Sequence, residues 1–131
     1  MLIPGIEVPH LCAQCDDAPC VPSCPVKALN VDNATGAIIV DREKCVGCGI
    51  CMRACPGKIP AMHPTEKYAM ICDLCNGDPQ CTKPCQKGRH NALWMVDKPA
   101  NESYRLYSKE PKIATRELAR RFFGDKSEEL L

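Results

Sequence analysis

The stretch CVGCGICMRACP, residues 45–56, places four cysteines within twelve residues and closes on a proline. Two residues separate Cys45 from Cys48 and Cys48 from Cys51, and three more precede Cys55. With twelve cysteines in 131 residues, the chain has the composition of either a disulfide scaffold or a metal protein. The spacing within this stretch decides between the two.

The spacing C-x2-C-x2-C-x3-C-P is typical of segments that bind [4Fe-4S] clusters. Three cysteines at intervals of two residues can surround one cluster, and Gly47 and Gly49 between them permit the sharp turns that bring backbone N–H groups to its sulfurs. Cys55 differs, because it precedes Pro56, which suits the first turn of a helix. We therefore predict that Cys55 points away from its own loop and ligates a second cluster.

The other eight cysteines form two further quartets, each with a C-x2-C pair, a third cysteine and a final C-x3-C step. They are Cys12, Cys15, Cys20 and Cys24, followed by Cys72, Cys75, Cys81 and Cys85. The three quartets recur at intervals of about thirty residues, so the chain is an imperfect repeat. Repeated quartets predict repeated sites.

The sequence predicts three [4Fe-4S] clusters with an exchange of ligands between the first two quartets. Cys24 is followed by Pro25, so both quartets end in the C-P step of the exchanged fourth ligand. Cluster 1 is then held by Cys12, Cys15, Cys20 and Cys55, and cluster 2 by Cys45, Cys48, Cys51 and Cys24. Cys85 is followed by Gln86, and no fourth quartet offers an exchange partner. Cluster 3 is therefore expected on Cys72, Cys75, Cys81 and Cys85 alone.

Zinc and disulfides are the alternatives to iron–sulfur clusters. The start MLIPGIEVPHLC lacks the features of a secretory signal, and no apolar run reaches the roughly 18 residues of a membrane span. We therefore expect a cytoplasmic protein without direct membrane insertion, where clustered cysteines are more often metal ligands than disulfides. The third quartet retains zinc as an alternative, since its first pair has the C-x2-C form of zinc sites.

Charge argues against nucleic-acid binding, because seventeen Lys and Arg are matched by sixteen Asp and Glu. Three oxidised clusters, each with four thiolates, would lower the net charge from +1 to about −5. Such buried charge requires many N–H donors. With only six aromatic residues for a core, we expect the chain to obtain much of its folding free energy from metal binding.

The residues outside the quartets show no catalytic pattern. The sequence has no Gly-rich phosphate loop, no G-x-S-x-G elbow and no H-E-x-x-H zinc helix. His10, His63 and His90 are scattered and are expected to be surface or packing residues. A cluster whose irons are all held by cysteine has no open position for a substrate. We therefore predict a non-catalytic protein that transfers single electrons.

An α+β, ferredoxin-like fold of short β-hairpins and short helices around the clusters is predicted for residues 1–96. Two segments predict hairpins, because each has two apolar runs around turn formers. They are ALNVDNATGAIIVD, residues 28–41, and IPAMHPTEKYAMI, residues 59–71. A short helix is expected after each C-P step. NALWMV, residues 91–96, predicts a further strand with Trp94 in the core.

Residues 97–131 form a C-terminal extension without cysteine. PKIATRELARRFFG, residues 111–124, predicts an amphipathic helix with Ile113, Leu118 and Phe122 on its apolar face. We interpret this extension as a docking arm for a larger subunit, with packing on its own domain as the alternative. GDKSEELL, residues 124–131, is expected to be disordered.

The chain contains, in order, the segment HLCAQCDDAPCVPSCP, a predicted hairpin, and the segments DREKCVGCGICMRACP and KYAMICDLCN. This arrangement resembles the polyferredoxin-like electron-transfer subunits of molybdenum and tungsten oxidoreductases and of some hydrogenases. The resemblance covers about residues 8 to 96. Members with sixteen cysteines carry four [4Fe-4S] clusters, and this chain is similar to a form without the first quartet. Small three-cluster forms are similar to iron–sulfur subunits of tungsten enzymes of the aldehyde ferredoxin oxidoreductase type, including class II benzoyl-coenzyme A reductases of anaerobic bacteria.

The resemblance implies two partners. One is a large catalytic subunit with a tungsten or molybdenum cofactor, and the other is an external ferredoxin or flavoprotein that supplies or accepts electrons. A freestanding soluble polyferredoxin is the alternative, and a zinc-binding structural module is a remote one.

Overall fold

A computed structural model describes residues 11–90, 92–96, 103–106 and 108–130. Two antiparallel hairpins lie between the cysteine quartets, as the sequence predicts. Strands β1 (Leu29–Val31) and β2 (Ile38–Val40) form the first, and β3 (Ala61–Met62) and β4 (Ala69–Met70) the second. Each hairpin therefore holds the end of one cysteine segment next to the start of another.

Four short α-helices and three 3₁₀ turns complete the described fold. The helices are α1 (Ile50–Ala54), α2 (Thr82–Lys87), α3 (Pro111–Phe123) and α4 (Ser127–Leu130). The 3₁₀ turns span Leu74–Gly77, Ser103–Leu106 and Gly124–Lys126. Within the described ranges, none of the helices is long and apolar enough to cross a membrane.

The turn of the first hairpin is fixed by the carboxylate of Asp32. This carboxylate accepts hydrogen bonds from the backbone N–H of Thr35 at 2.9 Å and from its hydroxyl at 2.5 Å. The two bonds favour the charged carboxylate and lower the pKa of Asp32. Gly36, with φ +71°, then returns the chain into β2.

The core is small and includes cysteines that the sequence predicts as ligands. Its buried members are Ala18, Cys20, Leu29, Ile38, Cys51 and Ala69. The hairpins supply Leu29, Ile38 and Ala69, while Cys20 and Cys51 come from two different quartets. The hydrophobic core and the predicted metal sites are therefore built from the same residues.

The prediction that a helix follows each C-P step is wrong. The residues after Cys24 and Cys55 form turns, and the helix of the second quartet, α1, lies before Cys55. Cys55 ends α1 in an extended conformation, with ψ 118°. The cause is Pro56, because a proline disfavours the helical conformation in the residue that precedes it.

The predicted strand at residues 91–96 is also wrong. Residues 92–96 adopt no regular secondary structure, and the side chain of Trp94 is 57% exposed. The backbone N–H groups of Ala92 and Leu93 donate to the sulfur of Cys85, at 3.2 Å and 3.3 Å. These N–H groups therefore bind a thiol where a strand would use them for a sheet.

The C-terminal helix begins at Pro111 and is capped by Gly124, as predicted, but its buried face differs from the prediction. Ala114, Thr115 and Ala119 are buried, whereas Ile113 and Phe122 are 48% and 75% exposed. The helix therefore turns small residues inward and leaves its largest apolar side chains at the surface.

The segment predicted to be disordered is ordered through residue 130, where α4 ends. Ser127 at the start of α4 is buried, and Glu128 forms a 3.0 Å ion pair with Arg120 of α3. Each of these contacts is weak and joins residues that are close in sequence. The polar composition of the segment does not reveal such contacts, so it indicated disorder.

Candidate metal centres

The first candidate centre is a cavity of about 320 Å³, counting its open mouth, between the second quartet and the two hairpins. Cys45, Cys48 and Cys51 line it together with Cys24 from the first quartet. Cys51 lies on α1, and Cys24 precedes β1 by a short turn. The four thiols predicted to hold cluster 2 therefore face one space.

Gly47 and Gly49 give the loop of this cavity its shape, with φ angles of +69° and +71°. These left-handed conformations turn the chain between successive cysteines. Gly47 also lies tightly against the second hairpin, since a Cβ atom there would be 3.3 Å from the backbone C and O of Lys67. A side chain at residue 47 would therefore crowd the backbone of Lys67 and push the loop and the hairpin slightly apart.

The remaining walls of the first cavity are apolar, and its mouth opens to the surface. Leu29, Met62 and Ala69 line the inner side. Val46 and Cys48 also line the cavity and are both exposed. A group bound here would be shielded on one side and close to solvent on the other.

The second candidate centre is a cavity of about 410 Å³, counting its mouth, between the first quartet and the end of α1. Cys12, Cys15 and Cys20 line it together with Cys55 from the second quartet. None of these four cysteines is exposed. The four thiols predicted to hold cluster 1 therefore also share one space, and it is better shielded than the first.

Burial favours the neutral form of several of these thiols. It is the main cause that raises the pKa of Cys12 and of Cys20 to about 11, and the nearby Cys55 thiol contributes to the rise at Cys20. Burial likewise raises the pKa of Cys51. Because clusters bind thiolates, loading these sites must release protons.

Backbone N–H groups supply the compensation that thiolates require. The backbone N–H of Ala28 donates a hydrogen bond to the sulfur of Cys24 at 3.3 Å. The sulfur of Cys85 accepts hydrogen bonds from the backbone N–H groups of Ala92 and Leu93. Hydrogen bonds to ligand sulfur stabilise negative charge and contribute to the reduction potential of a bound cluster.

The third quartet lies along residues 72–85 and is the most open of the three. Cys72, Cys75 and Cys81 are exposed and Cys85 is half-buried on α2. Cys75 has a left-handed φ of 48°, and the carboxylate of Asp73 accepts a hydrogen bond from its N–H at 2.9 Å. The bend in the 3₁₀ turn thus reverses the chain between the first pair of cysteines and the second.

Gln14 is a structural residue of the site that the sequence analysis missed. It is buried between Cys12 and Cys15, and its amide donates to the carbonyl of Cys72 at 2.7 Å and accepts the N–H of Ile38 at 3.1 Å. One side chain therefore joins the first quartet, the first hairpin and the third quartet. Its position among the cysteines gives no signal of this, because the contacts span 24 and 58 residues of sequence.

The histidines take structural positions where they are described. His63 stacks on Tyr68 with ring centroids 4.7 Å apart, and its Nδ1 accepts the backbone N–H of Glu66. His90 is exposed, and its backbone N–H donates to the carbonyl of Cys85. His10 lies outside the described residues.

The two cavities fit a multi-atom cluster, because their thiols are spread over the walls of a space. In the part of the chain that the structure describes, no three His, Cys, Asp or Glu side chains are placed to hold one metal ion. Apolar walls, left-handed glycines and N–H groups directed at sulfur are all features of [4Fe-4S] sites.

Comparison with known proteins agrees with this chemistry. The model of the 4Fe-4S dicluster domain matches residues 5–93. The polyferredoxin-like subunit of the aliphatic sulfonate oxidoreductase of Pyrococcus furiosus is 46% identical over 124 residues, which cover 95% of this chain and 72% of that protein. NrfC of Escherichia coli K12 is 35% identical over 107 residues, 76% of this chain and 48% of NrfC.

The iron–sulfur subunit of formate dehydrogenase-O of Escherichia coli K12 is 32% identical over 83 residues, 59% of this chain and 28% of that subunit. The chain thus spans most of the Pyrococcus subunit and about half or less of the two Escherichia coli proteins. The matched residues 5–93 contain all twelve cysteines. The chain therefore belongs to the 4Fe-4S dicluster domain family and is an iron–sulfur protein similar to subunits of oxidoreductase complexes.

Proposed function

We propose that this chain is a non-catalytic subunit that relays single electrons through three [4Fe-4S] clusters, between a catalytic oxidoreductase subunit and an external redox partner. A bound cluster supplies one-electron chemistry. The observation that carries the proposal is the composition of the two cavities, each lined by three cysteines of one quartet and the fourth of the other.

The proposed ligands are the twelve cysteines in three sets. Cluster 1 is assigned to Cys12, Cys15, Cys20 and Cys55, cluster 2 to Cys45, Cys48, Cys51 and Cys24, and cluster 3 to Cys72, Cys75, Cys81 and Cys85. The cavities support the first two sets. The third ligand set is supported by the spacing of the quartet and by the two backbone N–H groups that donate hydrogen bonds to the sulfur of Cys85.

The contacts between the quartets support an order in which cluster 1 lies between clusters 2 and 3. Cys20 and Cys24 belong to one short segment but line different cavities, so clusters 1 and 2 are neighbours. Cys72 lies close enough to Cys12 to raise its pKa, and Gln14 binds the Cys72 carbonyl. The two ends of this order contain exposed cysteines, whereas its middle does not. Electrons would then enter at one exposed end and leave at the other.

The proposed catalytic partner is a large subunit with a tungsten or molybdenum cofactor, and the proposed external partner is a ferredoxin or a flavoprotein. Support for a catalytic partner comes from two relatives, one named as a subunit of an oxidoreductase and the other as a subunit of a dehydrogenase. We place the protein in the cytoplasm, because a reducing compartment keeps clustered thiols available for metal.

The exposed side chains of α3 form the proposed docking arm for the catalytic subunit. Phe122 and Ile113 are the large apolar side chains that this helix leaves exposed, and Arg116 is also exposed. Aromatic and arginine side chains are enriched where protein surfaces pair.

A metal analysis of the native protein tests the proposal. The protein is isolated without oxygen through a tag on this chain, and Fe, Zn, Mo, W and acid-labile sulfide are measured together. About twelve iron and twelve sulfide per chain, with a large subunit and tungsten or molybdenum in the same fraction, is the expected result. The same iron content on a lone chain would indicate a freestanding polyferredoxin, and stoichiometric zinc without sulfide would refute electron transfer.

A further inference from the structure

The C-terminal extension reaches the cavity of cluster 1. Ser108 lines this cavity together with Cys12, Cys15, Cys20 and Cys55, although residues 8–96 contain everything that the cysteine pattern requires. The described residues that line the cluster 2 cavity all lie between Cys24 and Ala69. The described part of the extension therefore lines the cluster 1 cavity and not the cluster 2 cavity.

Contacts on both sides of Ser108 hold it in place. Leu106 is 6% exposed, and its carbonyl accepts the N–H of Lys109 at 3.3 Å. The ammonium of Lys109 pairs with the carboxylate of Glu117 on α3 at 2.5 Å, and the Ser108 hydroxyl donates to the carbonyl of Arg105 at 2.8 Å. The segment is thus anchored by an apolar contact on one side and by α3 on the other.

We infer that Ser108 and the segment that holds it form an outer wall of the cluster 1 cavity, and that this wall insulates the middle cluster of the relay. This inference rests on the proposed function. An insulated middle cluster would exchange electrons with its two neighbours and not with small oxidants in solution. The Ser108 hydroxyl donates its proton to the carbonyl of Arg105 and is therefore not available as a donor to the cluster. Ser108 acts at the cavity by filling the wall and by setting the local polarity.

A charge at position 108 tests this role through a reduction potential. Reduction adds negative charge to a cluster, so the carboxylate in Ser108→Asp should shift the potential of cluster 1 to a more negative value. The measurement is a redox titration of the full chain, followed by electron paramagnetic resonance under anaerobic conditions. The signal of cluster 1 is identified as the component that is lost in Cys20→Ala.

Lys126→Gln is the matched control, because it changes the net charge by the same amount at an exposed site beyond α3. The inference expects a negative shift in the Cys20-dependent component of Ser108→Asp and no comparable shift in Lys126→Gln. A shift no larger than in the control, or one shared equally by all components, would overturn it. If Cys20→Ala loses no iron at all, Cys20 ligates no cluster, and the proposed function fails together with the inference.

Leu106→Ala provides a second test that introduces no charge. Loss of the buried side chain loosens the anchor of the segment, so bathophenanthroline should extract iron from the Cys20-dependent component several-fold faster than in the parent protein. The other two components should release iron at the parent rate. An unchanged rate for the Cys20-dependent component would show that the extension does not shield cluster 1.

Discussion

Cys20 and Cys55 belong to different quartets and line the same cavity, where the Cys55 thiol adds to the effect of burial on the pKa of Cys20. Cys24 and Cys51 show the reciprocal relationship in the other cavity. Each segment therefore contributes to two centres, and neither centre is complete without both segments. This mutual dependence couples the folding of the chain to the loading of metal.

Pairs of cysteine substitutions distinguish exchanged ligands from local ones. If Cys20 and Cys55 ligate one cluster, the double variant Cys20→Ala with Cys55→Ala should lose about four iron per chain, the content of one cluster. The pair Cys20→Ala with Cys24→Ala should lose about eight, because it damages two clusters. Iron and sulfide analysis of the purified chains provides the measurement, and the reverse result would show that each quartet binds its own cluster.

Substitution of Gln14 should destabilise the junction of the three quartets. Gln14→Leu leaves the carbonyl of Cys72 and the N–H of Ile38 without their amide partner. Water can reach the carbonyl of the exposed Cys72, but the buried N–H of Ile38 stays unsatisfied, which costs about 1 to 3 kcal/mol. The urea concentration that releases half of the iron should therefore fall.

Gln80→Leu is the control for this prediction, since the exposed amide of Gln80 binds only Asp78, a near neighbour. Its effect should stay below about 1 kcal/mol, as is usual for a surface residue. Equal effects of the two substitutions would mean that the hydrogen bonds of Gln14 to Cys72 and Ile38 do not stabilise the fold.

Two glycine substitutions separate backbone strain from crowding. Gly36 and Gly47 have nearly the same φ, +71° and +69°, but a Cβ at Gly36 meets nothing within 4 Å. The free energy of unfolding of Gly36→Ala should therefore fall only by the cost of placing an alanine in the left-handed conformation, about 1 to 2 kcal/mol. Gly47→Ala must also displace the backbone of Lys67, so it should lose more stability and should lose the iron of cluster 2. Iron content and thermal unfolding of both variants measure the difference.

The fold around the metal sites could be predicted because ligand spacing and turn formers are local signals. The two hairpins, the start of α3 at Pro111 and its end at Gly124 follow from residues that determine the backbone at their own positions. The grouping of thiols around the two cavities was likewise predictable, because the C-P endings mark a cysteine that leaves its own loop.

The features that the sequence did not reveal depend on contacts between distant segments. Ala92 and Leu93 resemble strand residues, but their N–H groups bind the sulfur of Cys85. The buried positions of α3 are small residues and its larger apolar side chains stay exposed, which the amphipathic pattern alone does not indicate. Neither Gln14 nor Ser108 stands out in the sequence, since each acquires its role from segments that reach it only in the folded chain.

The N–H groups at Cys85 should raise the reduction potential of cluster 3. A hydrogen bond to a ligand sulfur stabilises the more negative, reduced state, so Ala92→Pro, which removes one donor, should shift the potential of this cluster to a more negative value. Ala92→Ser keeps the donor and is the control. A redox titration that shows equal potentials for the two variants would mean that this N–H group does not act on the cluster.

The exposed surface of α3 around Phe122 should be required for assembly with a catalytic subunit and not for binding of metal. Phe122 is 75% exposed, so Phe122→Asp removes an apolar contact surface with little effect on the fold of the chain itself. The variant should keep about twelve iron per chain but lose the large subunit during purification through a tag on this chain. Lys112→Asp, a reversal of charge at an exposed site in the first turn of the same helix, serves as the comparison. Retention of the large subunit by Phe122→Asp would rule out this face as the docking surface, whereas loss of iron would show that the side chain serves the iron–sulfur domain.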